Sequence, residues 1–267
     1  MTRTAIIAGR GGLPAALAAA LDNPLVAALD GFLPDGVAPH TTFRVERLMP
    51  FLRDLQDAGV THVVFAGGIT RPHLDPALFD PATAQVLPRL LPAIRGGDDT
   101  TLRAVIHLFE DEGFAVQGVA DVAPALIPGP GILAGTISPD DERDATRAAA
   151  IVAALGAVDV GQGAVVQQGL CLGVETLGGT DRMLEQVAAL PGILRPAGSR
   201  GLLYKAPKAH QDRRIDLPAL GPLTVIAAVR AGLGGIAWQA GDVILLDREA
   251  TRAAATAQGL FLWAREP

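Results

Sequence analysis

Short β-rich runs alternate with helical ones through the first half of this sequence, and that alternation leaves few architectures open. "TAIIAG" reads as a strand, "LPAALAAAL" as a helix, "PLVAAL" as a strand, "LMPFLRDLQDAG" as a helix and "THVVFAGG" as another strand. The helical runs "PATAQVLPRLLPAI" and "DTTLRAVIHLFEDEG" follow, and then the strand-like "FAVQGV". Strands separated by helices pair in parallel, because each connection must cross back over the sheet, and such a sheet needs helices on both faces. A Rossmann-like parallel sheet is therefore expected over residues 1–132.

The stretch "ALIPGPGILAGTISPDDERD" concentrates Pro and Gly and marks the domain boundary, with Ser138 or Asp140 as N-cap of the helix that follows. A second, mixed α/β domain is expected over residues 138–267. It opens on the helix "ERDATRAAAIVAALG", then a strand pair in "AVVQQGLCLGVET" turning at Gln168-Gly169, then a helix "TDRMLEQVAAL" capped by Thr180 or Asp181. At 267 residues, two domains suit the length.

The single cysteine, Cys171, excludes an internal disulfide and a Cys-rich zinc site, and its alternating apolar context predicts a buried strand position. A net charge of −6 without a Lys/Arg block argues against nucleic acid as a partner. No apolar run reaches the roughly 18–20 residues of a membrane span, and no secretory h-region follows the first residues, so a cytoplasmic location is expected.

Several strand ends carry glycine turns. "IIAGRGGLPAAL" puts Gly9, Gly11 and Gly12 between a strand and a helix, where backbone N–H groups can meet a phosphate. The dinucleotide fingerprint G-x-G-x-x-G fails at Pro14, and Asp30 is an uncertain ribose acid, so a nicotinamide cofactor is weakly supported and a structural turn stays open. "VVFAGGITRP" ends another strand in Gly67 and Gly68, and the two turns together suggest one crevice. Asp98 and Asp99 precede a helix: one suits an N-cap, leaving the other for a metal or a ribose hydroxyl. Glu175 stands at a strand end, and Gln162 lies in a further turn, "VGQG".

The segment from Lys205 to Asp216, "KAPKAHQDRRID", is the densest charge cluster of a chain otherwise poor in charge. Lys205 and Lys208 suit neutralisation of phosphate oxygens, Arg213 or Arg214 a bidentate grip, and Asp212 and Asp216 a hard cation or an oriented water. That is the set diphosphate hydrolysis calls for, since the charge that repels a nucleophile must be offset. A solvated loop of surface ion pairs fits the same composition. His210 has no visible orienting partner, and His40, His62, His73 and His107 show no metal-ligand spacing.

Taken in order, "IIAGRGGLP", "VFAGGITRP", "DDTTLRAV", "DVGQGAVV", "VETLGGTDRML", "YKAPKAHQDRRIDLPALGP" and "GLGGIAWQAGDVILLDRE" resemble one bacterial family over nearly the whole chain. It is the LpxI-type UDP-2,3-diacylglucosamine pyrophosphatases of lipid A biosynthesis. The resemblance implies hydrolysis of that lipid-linked nucleotide sugar to UMP and 2,3-diacylglucosamine 1-phosphate, with Mg2+, at the inner face of the inner membrane. It implies water attack on the phosphorus nearer the sugar and an essential aspartate, Asp216 by alignment, with Asp212 second. The catalytic residues expected are Asp216, Asp212, Lys205 and Lys208, and the metal ligands Asp216, Asp212 and Glu175. Substrate binding is expected at Gly9, Gly11, Gly12, Gly67, Gly68, Asp98, Asp99, Gln162, Thr180, Gln211 and Arg213. A homodimer is compatible with this reading, and a non-catalytic binder of UDP-sugars or other nucleotides is the alternative.

Overall fold

The computed structural model describes residues 3–70, 73–96, 98–209 and 211–267, with the side chains of 89–99 outside that description. The chain forms two compact units. The first comprises Met1–Pro124 with Asp212–Asp216, and the second Ala125–Gln211 with Leu217–Pro267. The first unit thus ends where the Pro/Gly-rich stretch begins, and a short piece of the charged segment belongs to it.

In the first unit the elements run β1 (Arg3–Ala8), α1 (Leu13–Ala20), β2 (Leu25–Leu29), β3 (Thr41–Phe43), α2 (Leu48–Asp57), β4 (Val60–Ala66), α3 (Pro81–Gly96), α4 (Asp98–Asp111), β5 (Ala115–Gln117) and α5 (Val119–Val122). The five strands are all parallel, in the order β3-β2-β1-β4-β5. Ile6 pairs Val26 on one side and Val64 on the other, so β1 is central and buried on both faces. Helix α2 buries Leu48, Phe51, Leu52 and Leu55, the i, i+3, i+4 and i+7 positions of one face, against Ala5, Ile7 and Val63. The strand order reverses between β1 and β4, so the connections leaving their carboxyl ends meet at the switch point, where such sheets commonly take ligands.

The second unit continues with β6 (Gly131–Ala134), α6 (Pro139–Ala157), β7 (Gly163–Gln167), β8 (Leu170–Val174), α7 (Gly179–Ala188), β9 (Leu202–Lys205), β10 (Ala219–Leu220), α8 (Pro222–Arg230), β11 (Gly235–Gln239), β12 (Ile244–Leu245), α9 (Arg248–Ala257) and β13 (Phe261–Arg265). Its main sheet is mixed, with the order β6-β13-β11-β9-β7-β8. Strands β9, β11 and β13 are parallel, while β7 is antiparallel to both β9 and β8. Hence β8, β9, β11 and β13 point the same way, and α7, α8 and α9 all start at one end of the sheet.

Period-2 alternation sorts the two faces. Leu202 and Tyr204 pack with Ala145, Ala148 and Val152 of α6, whereas Leu203 packs with Met183, Leu184 and Val225 of α7 and α8. Lys205, two residues beyond Leu203, shares the α7 face. Ser138 caps α6 by accepting from the Asp141 N–H at 3.3 Å, and the Asp141 carboxylate accepts from the Ser138 N–H at 2.9 Å, a reciprocal capping box. The β7–β8 turn is Gln168-Gly169, both at positive φ (48° and 76°), and the buried Asp144 carboxylate accepts from their two N–H groups at 2.8 and 2.7 Å.

Two expectations are corrected. Cys171 lies on a strand as expected but is exposed, because β8 is the sheet edge and its first residues lie outside the helix layer. The N-cap of α7 is Gly178, which places Thr180 and Asp181 inside the first turn and frees the Thr180 hydroxyl for another partner. Among the described residues no helix is long and apolar enough to cross a membrane.

Candidate active site

In the first unit the two glycine turns are laced together. Gly9 N–H donates to Ala66 O at 2.7 Å, and Arg10 and Gly68 exchange both backbone hydrogen bonds at 2.9 Å. A Cβ on Gly9 would stand 2.6 Å from Gly68 O, and one on Gly67 would stand 2.6 Å from Arg10 O, so neither backbone could approach the other with a side chain in place. Gly12 is the N-cap of α1 and offers no side-chain acceptor to the first-turn N–H groups, which leaves them for an anion. Gly9, Gly11, Gly12, Gly67 and Gly68 therefore gather at the switch point of the sheet.

Sequence reasoning passed over Arg10. Its guanidinium donates to Gly31 O at 2.9 Å and lies 5.0 Å from the centre of the Phe32 ring, placing a cation beside the glycine turns. Asp30 directly follows β2, where a ribose acid would stand, but it is paired with Arg44 at 3.0 Å. Asp98 and Asp99 open α4, and their side chains fall outside the described residues, as do Arg71 and His210.

The Asp212–Asp216 piece forms a tight turn on the first unit. Ile215 and Asp216 N–H groups both donate to Asp212 O at 3.2 Å. Arg214 grips Asp212 through Nη2 at 2.7 Å and Nε at 3.0 Å, and reaches Glu110 of α4 at 2.7 Å. The Gly118 backbone lies against it, since a Cβ there would come within 3.2 Å of the Arg214 Cα. Bonding to Arg214 holds the Asp212 carboxyl below the usual carboxylate range, and Asp212 with Glu110 raises the Arg214 value.

A folded-state pKa below the unfolded one means that this stabilisation is complete above about pH 4 and disappears as pH falls through the folded value. Native protein and Asp212→Asn should thus differ by roughly 1 kcal/mol in thermal unfolding at pH 7, and the difference should shrink as pH falls below about 4. A gap that does not narrow with falling pH would rule out the pairing as its source.

In the second unit Glu175, Thr180 and Lys205 meet. Lys205 Nζ donates to Thr180 Oγ1 at 2.7 Å, the Thr180 hydroxyl donates to Glu175 Oε2 at 2.8 Å, and the ammonium lies 3.6 Å from that oxygen. Gly161 and Gly163 press on Glu175; a Cβ on Gly163 would stand 2.6 Å from its Oε2. Between these glycines, Gln162 O accepts from Ala206 N–H at 3.1 Å, while Gln162 Oε1 is buried without a partner, an acceptor left for a ligand or a water.

Lys208 is bound to Asp159, its N–H donates to Gln211 Oε1 at 2.9 Å, and Gly156 at the end of α6 lies against its Cα. Lys208 and Gln211 thus form a clasp at the start of the charged segment. Asp159, at positive φ (56°), carried no sequence signal as the partner of a lysine 49 positions on.

Within either unit, among the described residues, no three His, Cys, Asp or Glu side chains converge on a common point. Of the metal ligands expected from sequence, Asp212 and Asp216 belong to the first unit and Glu175 to the second. Glu175 holds Thr180 and faces Lys205, and Asp212 holds Arg214. Mg2+ commonly uses one or two carboxylates with substrate phosphates and water.

The chain is thus a two-unit α/β protein, with strand-end glycine turns and a charged turn in the first unit and a buried ammonium in the second. Comparison with known proteins then places it: residues 3–126 match the LpxI N-terminal domain and residues 130–263 the LpxI C-terminal domain. The chain belongs to the LpxI family. It is 38% identical over 277 residues to a protein of Caulobacter vibrioides named UDP-2,3-diacylglucosamine pyrophosphatase LpxI, spanning 100% of this chain and 99% of that protein.

Proposed function

We propose that this chain hydrolyses the pyrophosphate bond of UDP-2,3-diacylglucosamine to UMP and 2,3-diacylglucosamine 1-phosphate in lipid A biosynthesis. The observation that carries this reading is the match of both domains together with full-length similarity to a protein named for that activity. The geometry supports it. Glycine turns stand at the sheet's switch point, where α/β sheets commonly take ligands, and Lys205 supplies a buried positive charge.

The reaction adds one water across P–O–P. The water oxygen bonds to the phosphorus on the sugar side, the bridging oxygen departs with UMP, and the two protons of water are shared between the products. Asp216 orients that water or accepts its proton, and Lys205 offsets charge on the diphosphate. Magnesium held by Asp216 and phosphate oxygens would act as the Lewis acid that polarises the phosphoryl group. The substrate's acyl chains would bring the protein to the inner face of the inner membrane as a peripheral visitor.

Purified protein should release UMP and diacylglucosamine 1-phosphate in magnesium and lose that activity under exhaustive chelation. In 18O-labelled water the label should enter the sugar phosphate, and label in UMP would place the attack on the other phosphorus. A well-folded native chain that releases neither product leaves a nucleotide-sugar binder as the better account.

A further inference from the structure

Lys205 is 4% exposed and Glu175 7%, so burying this pair demands both charge balance and hydrogen bonds. A direct ion pair would satisfy both groups at once. Here the two charges stand 3.6 Å apart, beyond hydrogen-bond length, and the Thr180 hydroxyl bridges them. Thr180 has one proton, spent on Glu175, so its oxygen accepts from Lys205 and the bridge has one direction. An ammonium has three donors. Among the described residues Thr180 Oγ1 is the hydrogen-bond partner recorded for Lys205 Nζ, which leaves further donors for an acceptor brought by a ligand.

The position suits such an acceptor. Lys205 closes β9 at the carboxyl end shared by the parallel strands β8, β9, β11 and β13, the side on which α/β sheets take ligands. Thr180 comes from the first turn of α7 and Glu175 directly follows β8. The cradle around the carboxylate exists only because residues 161 and 163 are glycines.

We propose that Glu175 and Thr180 are positioning residues that hold the Lys205 ammonium for a phosphoryl oxygen of the diphosphate, Glu175 acting as its counter-charge and not as a metal ligand. This deepens the function proposed above and rests on it for the identity of the diphosphate. Thr180→Val keeps the shape of the side chain and removes the bridge, whereas Thr180→Ser restores it. Glu175→Gln keeps an acceptor for Thr180 and removes the charge.

The first measurement is calorimetric binding of inorganic pyrophosphate to the full chain with chelator present, alongside thermal unfolding to verify folding. Lys205→Met should abolish binding and Thr180→Val should weaken it about tenfold, with Thr180→Ser recovering most of the loss. In the hydrolysis assay Thr180→Val should lower kcat/KM by a similar factor or more, and Glu175→Gln should leave the magnesium concentration for half-maximal rate unmoved. Native-like binding and kcat/KM in folded Thr180→Val would overturn the proposal, and so would a tenfold rise in the magnesium requirement of Glu175→Gln. If the native chain hydrolyses nothing yet its pyrophosphate binding follows Thr180 and Lys205, the proposed activity fails while this inference stands.

Discussion

Asp216→Ala is expected to lower UMP release by about 10² to 10⁴-fold with the fold intact, the range that loss of a positioned acid or base produces. The surrounding turn supports this separation of chemistry from folding. Its shape comes from backbone bonds of Ile215 and Asp216 to Asp212 O, and its anchorage from Arg214 on Asp212 and Glu110. Substituting the Asp216 side chain leaves those backbone and Arg214 bonds in place. The Asp212 oxygens hold the turn through Arg214. Asp212→Asn should therefore reduce kcat only about tenfold, by loosening the turn, and Arg214→Ala should resemble it. Measuring kcat for the three variants decides the assignment: if Asp212→Asn is the inactive one and Asp216→Ala retains activity, the essential acid is Asp212.

The fold of the first unit was legible because burial on both faces of a parallel sheet writes itself into local runs such as "TAIIAG" and "THVVFAGG". Bringing both glycine turns together needed only strand order, and the Gly9–Gly67 contact shows them side by side. What stayed hidden depends on partners distant in the chain. Arg214 was visible as a cation, but Glu110, 104 positions away, was not, and neither was Asp159 beneath Lys208. Thr180 read as a helix cap because a hydroxyl before "DRML" has that local use; its real partners, Glu175 and Lys205, come from β8 and β9 through sheet topology. Cys171 was misjudged for a related reason. Alternation marks a strand, but only the strand order says that β8 is an edge.

The same pair of glycine turns yields a large stability effect from a single methyl group. Gly67 has φ of +94°, a conformation that costs an alanine roughly 1–2 kcal/mol, and its Cβ would meet Arg10 O at 2.6 Å and Gly9 C at 2.7 Å. Both obstacles are backbone and are tied by the Arg10–Gly68 bridge, so no side chain can swing aside. Gly67→Ala should thus destabilise the first unit by roughly 3–5 kcal/mol and lower its unfolding temperature on the order of 10 °C. Gly9→Ala meets Gly68 O at 2.6 Å without a positive φ and should fall short of that loss. Gly11, at φ of +94° in open space, should show the conformational cost alone, and Gly68→Ala, with nothing near its Cβ, should unfold like the native chain. Calorimetric unfolding of the four variants tests the ranking. If Gly67→Ala unfolds at the native temperature, the turns are not packed as described. If instead the ranking holds and Gly68→Ala, stable as the native chain, binds UMP more weakly, the ligand closes directly on that backbone.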